Sequence, residues 1–248
     1  MSDSTRFELF EATPNARRGF VPEDTRNFSA PALKILREAA ADCCHLLNRG
    51  YAMTQTLTFV GNHYQLSKRQ RLAIMRSVTS AAKQQARLQK QLAPEDLAGK
   101  TLWVDGFNQI ITLEVMACRG PLFLGMDGAV RDLAALRGTY RLIPETDFAI
   151  HTLLRFLKSV HPAGVVLLLD APVSNSGRLR EAILKANESV QLPLAVPLIR
   201  GVDAELSAHG AILTADSGIL DRCESWVNFT GGFVQQQNHP CIQVWPSE

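Results

Sequence analysis

Apolar positions change texture along the chain. Before residue 95 they recur at helical spacing; beyond Gly99 they gather into short runs. Leu33, Leu36, Ala40, Cys43 and Leu47 share one helix face, which predicts a helix over Ala32–Leu47. Asn48-Arg49-Gly50 ends it, with glycine as the residue past the cap. Thr54–Gly61 fits a helix or a strand. Ser67-Lys68-Arg69-Gln70 has the S-x-x-Q pattern of a capping box and predicts a helix to about Leu92. The polar stretch 1–30, with Pro14, Pro22 and Arg17-Arg18, predicts an irregular arm. Pro94–Lys100 is rich in breakers and marks a boundary. The expected organisation is an arm over 1–30, a helical domain over 31–95 and a second domain over 100–248.

Past that boundary, apolar runs predict strands at Thr101–Val104, Gly164–Leu169, Leu194–Ile199 and Ala211–Thr214, with a further one at Ile242–Trp245. Between them, helices are expected over Gln109–Cys118, Ala129–Arg137, Asp147–Val160, Gly177–Ser189 and Asp203–His209. Such alternation implies an α/β domain with a mainly parallel sheet and helices on both faces. Residues 101–248 are expected to fold alone.

The net charge of +2 hides a division. Residues 1–100 carry 15 Lys and Arg against nine Asp and Glu, and the remainder 11 against 15. The helix from Ser67 carries Lys68, Arg69, Arg71, Arg76, Lys83, Arg87 and Lys90, and no acid falls between Asp42 and Glu95. Helix faces normally mix signs, because opposite charges one turn apart support the helix. Two arrangements would relieve this excess: docking on the acidic half of the chain, or binding an external polyanion. The second makes Lys83, Arg87 and Lys90 candidate nucleic-acid contacts. Five cysteines without a C-x-x-C pair suggest reduced thiols, and the chain has neither a secretory h-region nor a run of eighteen apolar residues. The expected location is cytoplasmic, away from membranes.

The informative feature is where the acids fall. Thr-Leu-Trp-Val runs into Asp105, Val-Val-Leu-Leu-Leu into Asp170 and Ala-Ile-Leu-Thr-Ala into Asp216, while Asp203 follows the Leu194–Ile199 run. In an open parallel sheet the carboxyl ends of strands lie along one edge, where ligands bind. Any one such Asp can be a helix cap. Four on one edge would repel each other unless a cation held them. Hard oxygen donors without His or Cys select Mg²⁺ or Mn²⁺, and a pair of such ions suits phosphodiester cleavage. Ser174 and Ser176, with Arg178 just beyond, can cap a helix or hold a phosphate. Asp127 and Asp132 can extend the site or can cap a helix and pair with Arg131, and the second reading is favoured. Neither a P-loop nor a G-x-G-x-x-G fingerprint is present.

Val104-Asp105-Gly106-Phe107-Asn108, Leu169-Asp170-Ala171-Pro172, Gly201-Val202-Asp203 and Leu213-Thr214-Ala215-Asp216-Ser217 together resemble the PIN/NYN nuclease superfamily. Those domains carry Asp-x-x-Asn after the first strand, further Asp residues after middle strands and a Thr/Ser-x-Asp-Ser-like last motif. The whole chain is similar to an uncharacterised prokaryotic family that joins a small helical domain to a PIN-like one. The resemblance implies a PIN-like α/β/α sandwich and a Mg²⁺- or Mn²⁺-dependent nuclease. It implies that Asp105, Asp170, Asp203 and Asp216 are metal ligands, with Glu114 able to join them. Asn108 would orient Asp105 or substrate, and Ser217 would contact substrate. RNA as the partner comes from the resemblance alone. A non-catalytic RNA-binding scaffold and a small-nucleotide phosphohydrolase remain alternatives, and homo-oligomerisation stays open.

Overall fold

A computed structural model describes residues 18–134 and 138–245. Most of the expected arm, residues 1–17, lies outside them; its end forms a short helix, α1 (Asp24–Asn27). α2 (Ala30–Asn48) and α3 (Met53–His63) follow, so the ambiguous Thr54–Gly61 stretch is helical. The capping box is present: Ser67 Oγ accepts from the Gln70 N–H, and Gln70 Oε1 accepts from the Ser67 N–H. The helix it opens stops at Ser77. α4 (Lys68–Ser77) gives way to extended Val78, and Ser80 caps a separate α5 (Ala81–Gln89), its hydroxyl accepting from the Lys83 N–H. Ser80 had the residue type of a cap, but the basic residues recur on both sides of it and read as one helix.

β1 (Gln91–Leu92) and a 3₁₀ turn (Pro94–Leu97) lead into β2 (Thr101–Asp105) and α6 (Gly106–Ala117). A hairpin follows, β3 (Leu122–Leu124) with antiparallel β4 (Val130–Asp132). This corrects the helix expected over Ala129–Arg137, whose last three residues lie outside the described ones. Asp127-Gly128 is a hairpin-turn pair, with Gly128 at φ +77°, and that signal outweighs the apolar spacing. The chain continues through α7 (Glu145–Ser159), β5 (Gly164–Asp170), α8 (Ser176–Val190), β6 (Leu194–Ala195), β7 (Leu198–Ile199), α9 (Val202–Ser207), β8 (Ile212–Leu213), α10 (Ser217–Arg222), β9 (Trp226–Val227) and α11 (Phe229–Gln236). The expected strand over Leu194–Ile199 is divided at Val196-Pro197, because Pro197 has no N–H to give a ladder. Ile242–Trp245 forms a single bridge to Phe123 instead of a strand.

The sheet runs β1-β9-β8-β2-β5-β6, with β7 pairing β5 beyond β6, and every pairing within it is parallel. The fold is therefore α/β with a mainly parallel sheet, preceded by helices. Pleat alternation directs Leu102, Val104, Val165, Leu167 and Leu169 into the core shared with α6, α7 and α8. Trp103, Val166, Leu168 and Ile212 face α9 and α10 on the other side. The chain builds outward from β2 through β5, then returns to place β8 on β2's other flank. The order thus reverses at β2, and a crevice opens at the carboxyl ends of β2 and β8.

The helical segment is not an appendage. Leu36, Ala40, Cys43, Val60 and Ile74 pack in one buried cluster with Phe123, Leu133 and Val244. β1 adds an edge strand beside β9, and the Arg87 carbonyl accepts from buried Trp226. Arg87, only 5% exposed, pairs with Asp127 at 2.7 Å and Asp221 at 2.6 Å, and Asp127 pairs with Arg131. No helix among the described residues is long and apolar enough to cross a membrane.

Because the core is shared, a fragment 101–248 would expose Phe123 and Val244 and strip Asp127 and Asp221 of Arg87. That fragment is expected to aggregate or to melt without a cooperative transition, unlike the full chain. Size-exclusion chromatography and circular-dichroism melts test this; a soluble, cooperative fragment would contradict it.

Candidate active site at the sheet edge

Asp105 ends β2 and caps α6, accepting from the Asn108 N–H at 3.4 Å. Gly106 permits the abrupt strand-to-helix change: a Cβ there would meet Leu167 Cδ2 at 2.5 Å and the Leu168 carbonyl at 2.8 Å. The Thr214 hydroxyl donates to Asp105 Oδ2 at 2.8 Å, and Asn108 Oδ1 accepts from the Ala215 N–H at 2.8 Å. Two bonds therefore stitch the end of β2 to the end of β8 at the switch point. Asn108 has an orienting role, but it orients the β8–α10 loop. The Thr214 side chain was missed as a partner of Asp105, although its Thr-x-Asp spacing was visible.

The other aspartates approach from neighbouring turns. Asp216 caps α10 with Oδ1, accepting from the N–H groups of Gly218 and Ile219 at 2.7 and 3.1 Å. Asp170 ends β5, and its carboxylate accepts from the Val202 backbone. Asp203 lies exposed on α9. Electrostatics joins the four. Burial, then the charges of Asp216 and Asp203, pushes Asp105 up to about 7 against the bonds from Thr214 and Asn108. Burial and Asp203 raise Asp170; burial and Asp216 raise Asp203, with Arg222 opposing. Asp105 thus feels Asp203 and Asp216, Asp203 feels Asp216, and Asp170 feels Asp203. Among the described residues, however, no three His, Cys, Asp or Glu side chains are drawn tightly enough to enclose an ion. The donor chemistry suits a hard divalent cation, while the spacing is looser than a metal shell.

Several expected participants are elsewhere. Glu114 is nine residues past Asp105, which at about 100° per residue turns it to the opposite face of α6. There it pairs with Arg18 at 3.0 Å and accepts from Tyr140 and Thr146, fully buried, so it is not a ligand beside Asp105. The basic helix docks internally. Lys83 pairs with Asp221 at 2.6 Å, Arg87 is buried as described, and Lys90 Nζ donates to the carbonyls of Leu220 and Cys223 at the end of α10. Asp24 relieves Arg69, and Asp132 relieves Arg76. Arg87 and Lys90 are thereby corrected from nucleic-acid contacts to docking groups, and Lys83 is engaged beside them. Ser174 donates to the Gly138 carbonyl at 2.8 Å, and Ser176, 7% exposed, turns toward the Ala171 carbonyl, so both hydroxyls are occupied within the loop. Arg178 is exposed on the first turn of α8, and Ser217 opens α10. Asp127 and Asp132 are structural, as the sequence suggested.

Comparisons with known proteins follow the same division. A family described as "Domain of unknown function (DUF5616)" matches residues 94–232, and one described as "Protein of unknown function (DUF434)" matches residues 35–90. "Uncharacterized protein MJ0935" of Methanocaldococcus jannaschii is 35% identical over 185 residues, covering 75% of this chain and 88% of that protein. No solved structure matches.

The raised pKa of Asp105 has a consequence for stability. The folded protein holds a proton that the unfolded chain releases near pH 4, so stability is lost as pH rises from about 4 towards 7. In EDTA, the wild type is expected to melt several degrees lower at pH 8 than at pH 5, for a change on the order of 1 kcal/mol or more. Asp105→Asn should flatten that part of the profile and melt above the wild type at pH 8. Parallel profiles would contradict the burial of a strained charge.

Proposed function

The chain belongs to the DUF5616 family, and we propose that it is a divalent-metal-dependent phosphodiester hydrolase whose centre is the carboxylate edge at the β2–β8 switch point. The observation that carries this reading is the gathering of Asp105, Asp203 and Asp216 within one another's field, with Asp105 buried. Mutual repulsion there is unfavourable to folding and is offset when a cation binds. Asp105, Asp203 and Asp216, with Asp170 beside Asp203, would have to draw together to hold Mg²⁺ or Mn²⁺, since their spacing here is looser than a metal shell. A bound divalent ion supplies an activated water and a counter-charge for the leaving oxygen. The residues of this chain do the rest. Thr214 and Asn108 fix Asp105 and its partner loop, while exposed Arg178, Arg200 and Arg222 lie along the turns where phosphate oxygens would sit. Free thiols fit a cytoplasmic protein.

RNA is the substrate that the PIN-like resemblance favours. One observation favours a smaller nucleotide: Arg87 and Lys90 are engaged in docking and Lys83 pairs with Asp221, which leaves less basic surface to track a long backbone. A scaffold that binds RNA without cleaving it is the remaining alternative.

Purified protein with Mn²⁺ is expected to cleave single-stranded RNA or small phosphodiesters, and EDTA should abolish the activity. Asp216→Asn, which retains the cap, should reduce kcat on the order of a hundredfold or more while the fold persists. An inactive wild type across RNA, DNA and dinucleotides, or an Asp216→Asn variant as active as the wild type, would overturn the reading. Cleavage of dinucleotides alone would identify the small-nucleotide activity.

A further inference from the structure

The three-residue loop Ala215-Asp216-Ser217 has its backbone held from two sides. From the first turn of α6, Asn108 Oδ1 accepts from the Ala215 N–H, and from the end of β8, Thr214 Oγ1 accepts from the Asp216 N–H at 3.1 Å. From the opposite side come two buried guanidinium groups. Arg131 Nε donates to the Ala215 carbonyl at 2.6 Å, and Arg87 Nη2 donates to the Ser217 carbonyl at 3.3 Å. These carbonyls bracket Asp216. The two arginines are locked to each other through Asp127, whose Oδ2 accepts from Arg87 and Arg131 at 2.7 Å each and whose Oδ1 accepts from Arg131 at 2.9 Å. Asp127 is 1% exposed, Arg87 5% and Arg131 6%. Gly125 makes room for this arrangement, since a Cβ there would lie 2.2 Å from Arg131 Nη1 and 2.6 Å from Asp127 Oδ1.

Two elements outside the catalytic edge therefore send a fixed cation to the same loop: α5 of the helical segment sends Arg87, and the β3–β4 hairpin sends Arg131. Buried charges are retained only where their partners hold good geometry. Asp127 alone completes a clamp between α5 and the hairpin, and Asp221 of α10 gives Arg87 a second carboxylate. The additional bonds to the carbonyls on either side of Asp216 have no part in that clamp. A guanidinium can serve a carboxylate and a carbonyl together because its donors are fixed in a planar fork, which an ammonium lacks.

Resting on the proposed hydrolase reading, we propose that Arg87 and Arg131, coupled through Asp127, are positioning residues that hold the Ala215–Ser217 loop, and with it the Asp216 carboxylate, in register with Asp105. The helical segment then completes the active site from behind, and its basic helix is a structural arm of that site.

The test uses the full chain with Arg131→Lys, Arg87→Lys and Asp221→Asn. The lysines keep the charge that Asp127 requires but lose the fork; Asp221→Asn loosens Arg87 from a half-exposed position that is less essential to folding. Amide hydrogen exchange at Gly218 and Ile219, the donors to Asp216, is measured against amides of β5. Cleavage is split into kcat and KM. In the lysine variants, Gly218 and Ile219 are expected to exchange about tenfold faster, β5 amides to be unchanged, and kcat to fall about tenfold at constant KM. Asp221→Asn should show the same pattern at roughly threefold, and it decides the matter if the lysine variants do not fold. Folded variants with unchanged exchange at Gly218 and Ile219 would overturn the proposal, as would faster loop exchange with wild-type kcat. If the wild type cleaves nothing, the hydrolase reading fails, while the exchange measurement still shows whether the arginines hold the loop.

Discussion

A carboxylate shut away from water beside two guanidinium groups sets the arrangement of this protein. Asp127 is buried as a charge against Arg87 and Arg131, and it is the carboxylate that both arginines share. Removing one member of such a group typically destabilises by roughly 3–5 kcal/mol, because the partner is left uncompensated. The triad therefore ties α5 to the β3–β4 hairpin and keeps β1 along the edge of the sheet. Burial holds Asp127 back from ionising, but the two arginines prevail and keep it below the usual carboxylate range.

The sheet edge has the opposite character. There Asp105 is buried against the hydroxyl of Thr214 with the charges of Asp216 and Asp203 nearby, and Arg222 acts on Asp203 alone. Asp127 is fully paired and the edge carboxylates are not, within one molecule. Sites that carry function commonly depart from the pairing rule that the remainder of a structure obeys. The contrast between Asp127 and Asp105 is the physical reason for placing chemistry at the second.

The same contrast explains what could be read in the sequence. β2 and β5 were legible because each carries a long apolar run that ends in Asp. The strand-end positions of Asp105 and Asp170 followed from that pattern alone, while Asp203 lies within α9 and Asp216 caps α10. β1 and β9 were not legible, since two residues show no alternation and the pairing of Gln91 with Trp226 is decided by tertiary contact. The hairpin was obscured because Val130–Asp132 lies in a stretch with helical spacing, although Asp127-Gly128 announced the turn. Charge was legible in amount, and of the two destinations open to it, docking on the acidic half is the one seen. The acid-free run from Cys43 to Pro94 needed a counter-charge, and Asp127, Asp132 and Asp221, distant in sequence, provide it. Glu114 shows the limit of spacing arguments: its distance along α6 was right for reach, and its angle around α6 was wrong.

The most direct test of the account is a crystal of the full-length protein soaked in millimolar Mn²⁺, examined at the manganese absorption edge. An anomalous peak among the carboxylates of Asp105, Asp203 and Asp216, lost in Asp105→Asn, is the result the account predicts. Diffraction without a peak at that edge, or with manganese bound only elsewhere on the surface, would contradict it.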